Sequence, residues 1–180
     1  MDKFEFKLNE SFSDYVTTFK QTSFDEEHSQ YLCNDESNYV FDFDEIVKSK
    51  YPDKQPKSFD AILCDGKNIF CVEFKNSLPS DIDNSNVQGK LINSQSVIED
   101  FCLKNHINKS DYKFIYCVVF KPFNSPYKAN RLFKARVAGN EIMFNLEQYK
   151  GVFFDEILTN DKNFFERNYN RVISRGNLNC

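Results

Sequence analysis

The chain has 180 residues, 27 acidic against 23 basic, for a formal net charge of −4, and it carries 20 Phe and 9 Tyr but no Trp. This length suits a single domain with an aromatic core; no apolar run nears the roughly eighteen residues of a membrane span, and the mixed-charge start MDKFEFKLNE does not read as a signal peptide. Six cysteines without C-x-x-C spacing, beside only two histidines, argue against zinc and for a reducing, cytoplasmic setting.

Ser11 or Ser13 offers an N-cap for a first helix through Tyr15, Val16 and Phe19, and a second helical stretch is expected over residues 24–32. Residues 39–43 (YVFDF) alternate and read as a strand running into a helical turn at 45–50. YPDKQPKS is a loop by its two prolines, and it delivers the chain to two short strands within residues 58–77, SFDAILCDGKNIFCVEFKNS. After a polar loop, Val87, Leu91, Ile98, Phe101 and Cys102 fall at helical spacing, which predicts an amphipathic helix over 86–104. YKFIYCVVFK at 112–121 is the clearest strand and is expected inside the sheet. Short strands are expected at 142–146 and 152–154, then a closing helix over 161–174 with Phe164, Phe165, Tyr169 and Val172 inward, then a frayed GNLNC tail. The fold class is α/β (α+β), a single domain with a central mixed sheet of about four to five strands flanked by helices.

The pair of strands at 58–77 carries the chemistry. Asp-Gly between alternating apolar residues is a hairpin signal. With Asp65 and Gly66 as the two central turn residues, Cys64 faces Lys67, Ile62 faces Ile69 and Asp60 faces Cys71. Side chains alternate, so Asp60, Glu73 and Lys75 emerge together on one face, while Ala61, Leu63, Phe70, Val72 and Phe74 point to the other. Ile69, Phe70, Cys71, Val72 and Phe74 make the second strand apolar on both faces, and a Glu and a Lys there are costly unless paired or metal-bound. Two carboxylates suit Mg²⁺, which takes one or two of them plus waters and substrate phosphate. A lysine beside them suits an attacking water or the charge of a phosphoryl transition state. The bland alternative is an exposed strand face with ordinary solvated charges. Acid-x-Lys occurs four times in the chain, and only Glu73-Phe74-Lys75 comes with a partner acid, a hairpin and a following helix.

Asp60, twelve intervening residues, then Glu73-x-Lys75 resembles the signature of the PD-(D/E)xK nuclease superfamily, although Phe59 stands where many members have proline. The resemblance spans residues 25–120, leaving 121–180 as a C-terminal extension. It implies a restriction-endonuclease-like core of helix, three strands, helix and strand, with Mg²⁺ or Mn²⁺ held by Asp60 and Glu73 and with Lys75 assisting the attacking water. Family members often add an acid or His from the first helix. Glu27 is the first candidate here and Glu45 the second, from a set that includes Glu26, His28 and Glu36, and for each a solvated carboxylate is the competing reading. Gln88, Lys90 and Ser94 lie at or near the helix face opposite the apolar stripe; in related nucleases this helix flanks the cleft, which makes Gln88 and Lys90 candidates for substrate contact against a plain solvated face.

Charge is unevenly spread. Residues 1–60 hold 14 acids and 7 bases, whereas 61–180 hold 13 acids and 16 bases. Between residues 112 and 140, Lys113, Lys121, Lys128, Arg131, Lys134 and Arg136 occur with no acid and with interleaved aromatics. Such a stretch suits a phosphate backbone and unstacked bases. The sequence therefore predicts a metal-dependent nuclease with nucleic acid as partner, no membrane contact, and a homodimer if both strands of a duplex are cut. The alternative is a non-catalytic nucleic-acid- or protein-binding module, such as an immunity or adaptor protein, on the same fold.

Overall fold

A computed structural model describes residues 1–122, 141–173 and 176–180. Its described elements, in order, are α1 (Lys3–Phe12), β1 (Val16–Thr18), α2 (Phe19–Thr22), β2 (Phe24–Asp25), β3 (Gln30–Tyr31), β4 (Tyr39–Asp42), α3 (Phe43–Lys50), β5 (Ala61–Asp65), β6 (Asn68–Lys75), α4 (Asn84–Lys104), β7 (Lys113–Phe120), β8 (Glu156–Asp161) and α5 (Lys162–Val172). The architecture is α+β. A mixed six-stranded sheet runs in the order β1-β4-β5-β6-β7-β8, and β2 and β3 form a separate two-stranded ribbon. β1, β4, β5 and β6 pair antiparallel, whereas β6, β7 and β8 are parallel. The parallel pairing of β6 with β7 requires a crossover, which α4 provides.

Apolar side chains leave both faces of the sheet. On one face Ile62, Cys64, Ile69, Cys71, Phe114 and Val118 pack under α1, α3 and α4. On the other, Ala61, Leu63, Phe70, Val72 and Phe74 meet Phe19 of α2 and Phe165 and Tyr169 of α5. β6 and β7 are buried on both faces, which is why they read as continuous apolar runs rather than as alternation.

The sheet has more strands than expected, and several elements differ in kind. The first helix is α1, capped by the Asp2 side chain on the Glu5 amide, with Phe4 and Leu8 one turn apart on its buried face. The stretch through Tyr15 and Val16 is instead a short turn and the edge strand β1. Residues 24–31 are a hairpin rather than a helix. Asp25 accepts from the His28 amide, Ser29 adopts φ +50°, and Phe24 packs across on Tyr31 with tilted rings whose centroids lie 4.8 Å apart. Residues 142–146 form a turn with Phe144 and Asn145 at positive φ, residues 152–154 contribute one isolated bridge, and the strand there is β8. The closing helix does bury Phe165 and Tyr169.

The C-terminal tail is not frayed. Leu178 is 2 % exposed, its amide donates to Asn170 Oδ1, the Asn179 amide donates to Asp35 Oδ2, and Cys180 is disulfide-bonded to Cys33. The other four cysteines are buried free thiols. Among the described residues no helix is long and apolar enough to cross a membrane. Deleting residues 176–180 is expected to destabilise the protein by several kcal/mol, since a buried leucine alone is worth about 2–5 kcal/mol. Urea denaturation of the truncated chain measures this, and an unchanged midpoint would mean the tail does not pack.

Candidate functional site

The hairpin turn sets the geometry of the site. β5 and β6 pair with Asp65 opposite Asn68, so Gly66 and Lys67 are the central turn residues, and Gly66 takes φ +61°. Of these two only Gly66 has positive φ, at the position that a II′ turn reserves for glycine. The register thus lies two residues from the expected one, with Ile62 opposite Cys71 rather than Ile69. A shift of two leaves every side chain on its expected face, because the strand repeat is also two. It also brings Asp60, the residue before β5, level with Glu73 rather than with Cys71.

Main-chain contacts hold Asp60 there. Its amide donates to Val72 O at 3.0 Å, its carbonyl accepts from Phe43 N at 2.9 Å, and its Oδ2 accepts from Phe74 N at 2.6 Å. The preceding Phe59 is fully buried, stacked on Phe43 at 4.2 Å, and its amide donates to Ser94 Oγ of α4. Ser94 itself is fully buried, so it is not on the solvated side of the helix where the sequence pattern put it.

Glu73 is 0 % exposed, in the middle of an apolar surface. Two ammonium groups compensate it. Lys75 Nζ lies 2.8 Å from Glu73 Oε1 and donates to Asn86 Oδ1 at 3.2 Å. Lys90 Nζ, from the second turn of α4, lies 2.8 and 2.9 Å from the two Glu73 oxygens and 3.3 Å from Asp60 Oδ1. Glu73 Oε1 meets both ammoniums closely but with neither in hydrogen-bond alignment. Lys90 is therefore central to the cluster, and its place is not the helix side opposite the apolar stripe. It stands three residues after Val87 and four before Ser94, on the flank of the buried stripe.

The electrostatics follow from this packing. Burial, reinforced by the Glu73 charge, pushes the Asp60 carboxyl up to about 7, against the pull of Lys90 and the Phe74 amide. Burial acts to lower the Lys90 pKa, but the charges of Glu73 and Asp60 outweigh it and hold the ammonium raised. Tyr116 on β7 shares this face. Burial, with Glu73 and Asp60 nearby, drives its phenol well up, and its Oη has no hydrogen-bond partner. Asn76, next to Lys75, also leaves its Nδ2 buried and unpartnered. Unsatisfied buried polar atoms are uncommon in folded proteins, and here there are two, Tyr116 Oη on the strand beside Glu73 and Asn76 Nδ2 just after Lys75.

A cleft of about 380 Å³ opens beside the cluster, with Asp60, Lys75 and Asn76 on one wall and the β2–β3 hairpin on the other. Of the two candidates for a third acid, Glu27 lies on the hairpin turn and lines this cleft, whereas Glu45 lies in the first turn of α3, paired with Lys48 at 2.9 Å. Gln88 donates to Phe144 O at 3.0 Å and so anchors the segment after residue 140. Lys121 follows β7, its amide donating to Lys75 O and its side chain exposed. Lys128, Arg131, Lys134 and Arg136 lie outside the described residues.

The donor set meets the simplest need of a hard divalent cation. Among the described residues no three His, Cys, Asp or Glu side chains gather as a cage. Mg²⁺ takes as few as one or two carboxylates and completes its shell with water and substrate oxygens. Asp60 and Glu73 flank one point of positive charge, the Lys90 ammonium, and are the two carboxylates here that could share a cation. No family model, curated protein or solved structure matches the chain.

A carboxyl with a raised folded pKa takes up a proton on folding between its unfolded value, near 3.9, and about 7. Its contribution to stability is complete below the lower value and is lost as pH rises through the upper one. In chelator, wild-type stability is therefore expected to fall across this window and Asp60→Asn to flatten the slope. Urea midpoints across the pH range measure it, and parallel curves for the two proteins would show that Asp60 does not titrate there.

Proposed function

We propose that the protein is a metal-dependent nuclease with a restriction-endonuclease-like core. The observation that carries this reading is the convergence of Asp60, Glu73 and Lys75 from two adjacent strands in one charged cluster, with Asp60 and Lys75 lining the cleft and Glu73 buried behind them. Topology gives further support: from β4 to β7 the chain runs through three antiparallel strands, with α3 between the first two, then a crossover helix and a parallel strand. The site lies at the carboxyl ends of the parallel strands β6 and β7, where open sheets with crossover helices tend to bind ligands.

In this reading Asp60 and Glu73 are the ligands of Mg²⁺ or Mn²⁺, which when bound lowers the pKa of a water and offsets charge on the phosphoryl oxygens. Lys75 is tethered between Glu73 and Asn86, so its ammonium is positioned before substrate arrives and loses little on orienting a water or meeting developing charge. Lys121 follows β7 with its side chain exposed, and nucleic acid is the substrate class whose phosphodiester suits a metal held by two carboxylates. A homodimer for duplex cleavage belongs to the same proposal, as does an intracellular setting, against which the Cys33–Cys180 disulfide stands.

A second reading draws support from Lys90. With Asp60 ionised, Asp60, Glu73, Lys75 and Lys90 balance to zero charge without any metal, which is what a binding module that does not turn over substrate would need. The two readings part on activity. With Mn²⁺ and labelled single- and double-stranded DNA and RNA, the nuclease cleaves at least one substrate. Glu73→Ala abolishes that cleavage, and Lys75→Ala lowers kcat by about 10²–10³, the usual effect of removing one electrostatic contact to the transition state. Wild-type binding of an oligonucleotide without cleavage, at every divalent metal tried, would favour the binding module.

A further inference from the structure

Glu73 is fully buried and Asp60 mostly so, and their negative charges face each other across one gap. A buried carboxylate pair is unstable unless something positive sits between. Lys90 Nζ fills this role, within 2.8 to 3.3 Å of oxygens from both acids. It reaches in from α4, while Lys75 approaches Glu73 from β6 and keeps Asn86 as a second partner. Lys90 has no acceptor among the described residues besides the two acids. The two lysines thus differ: one is tethered from outside the carboxylate pair, and the other sits in the gap.

We propose that Lys90 is a resident counter-cation that competes with the divalent metal: its ammonium holds the position between Asp60 and Glu73 in the free protein and is exchanged for the metal ion on binding. The proposal rests on the metal-site reading above. The exchange is physically cheap in one respect, since the lysine stem is long and flexible and a fifth of the side chain already meets solvent. It is costly in another, because a divalent ion added to a neutral four-charge cluster leaves an excess of two positive charges unless an anion arrives. A phosphodiester supplies that negative charge, and the displaced ammonium is at hand to meet it. Lys90 therefore keeps the free site intact and disfavours metal until substrate is present.

The test is calorimetric titration of Mn²⁺ into the wild type, Lys90→Gln, Lys90→Arg and Asp60→Asn, without nucleic acid. Lys90→Gln is expected to bind Mn²⁺ about 5- to 150-fold more tightly than the wild type, the usual range for a coupling of this kind. Lys90→Arg should stay near the wild type or below it, and Asp60→Asn should bind less. Equal or weaker binding by Lys90→Gln, with Asp60→Asn still impaired, overturns the counter-cation proposal and leaves the metal site standing. Failure of every protein to bind Mn²⁺ overturns both. Should Lys90→Gln not fold, the wild type serves by itself. In protein with ¹⁵N-labelled lysine, two shielded ammonium signals are expected without metal, and Mg²⁺ should release one of them to solvent exchange. Retention of both signals at saturating Mg²⁺ would contradict the exchange.

Discussion

A carboxylate with no solvent exposure, set on a strand buried on both faces of the sheet, is the constraint around which this protein is organised. Glu73 sits between Val72 and Phe74, both buried, and faces Val118 on the neighbouring strand. An unpaired charge in such a place costs several kcal/mol at least. The structure meets that cost with Lys75 from the same strand and Lys90 from the crossover helix. The ion pairs are thus a condition for burying Glu73 rather than a surplus of stability, since replacing buried charges by apolar groups is often neutral or stabilising.

The scaffold delivers the partners with little freedom. The six-stranded sheet, apolar on both faces, fixes the height of Glu73. Three main-chain hydrogen bonds fix Asp60, and the Phe59 amide on Ser94 Oγ ties the approach to Asp60 to α4, the helix that bears Lys90. Both sources of charge are therefore registered against the same helix. A change in α4 would reach the acids through two routes, one electrostatic and one through the backbone.

Much of this was legible in the sequence, and the failures are instructive. The long strands and α4 follow from continuous apolar runs and helical spacing, which report burial directly. The pairing of Asp60, Glu73 and Lys75 on one face survived a turn displaced by one residue and a register displaced by two, because parity alone decides the face. Lys90 was placed on the wrong side of α4, since a lysine on the flank of an apolar stripe looks the same in sequence whether it snorkels outward or reaches inward to acids on another element. The β2–β3 hairpin has strands of two residues, too short for alternation to show. The tail and its bond between Cys33 and Cys180, 147 residues apart, depend on contacts that no local pattern encodes. α1 did leave a signal in the spacing of Phe4 and Leu8, which the more conspicuous serines at 11 and 13 obscured.

The central claim is that Asp60 and Glu73 form a site for one divalent cation, now held by an ammonium. Anomalous diffraction at the manganese edge, from crystals of the protein equilibrated with Mn²⁺, tests it most directly. The account predicts one anomalous peak between the two carboxylates, with the Lys90 side chain turned away from them. A gap still filled by Lys90, with no peak beside Asp60 and Glu73, would contradict it.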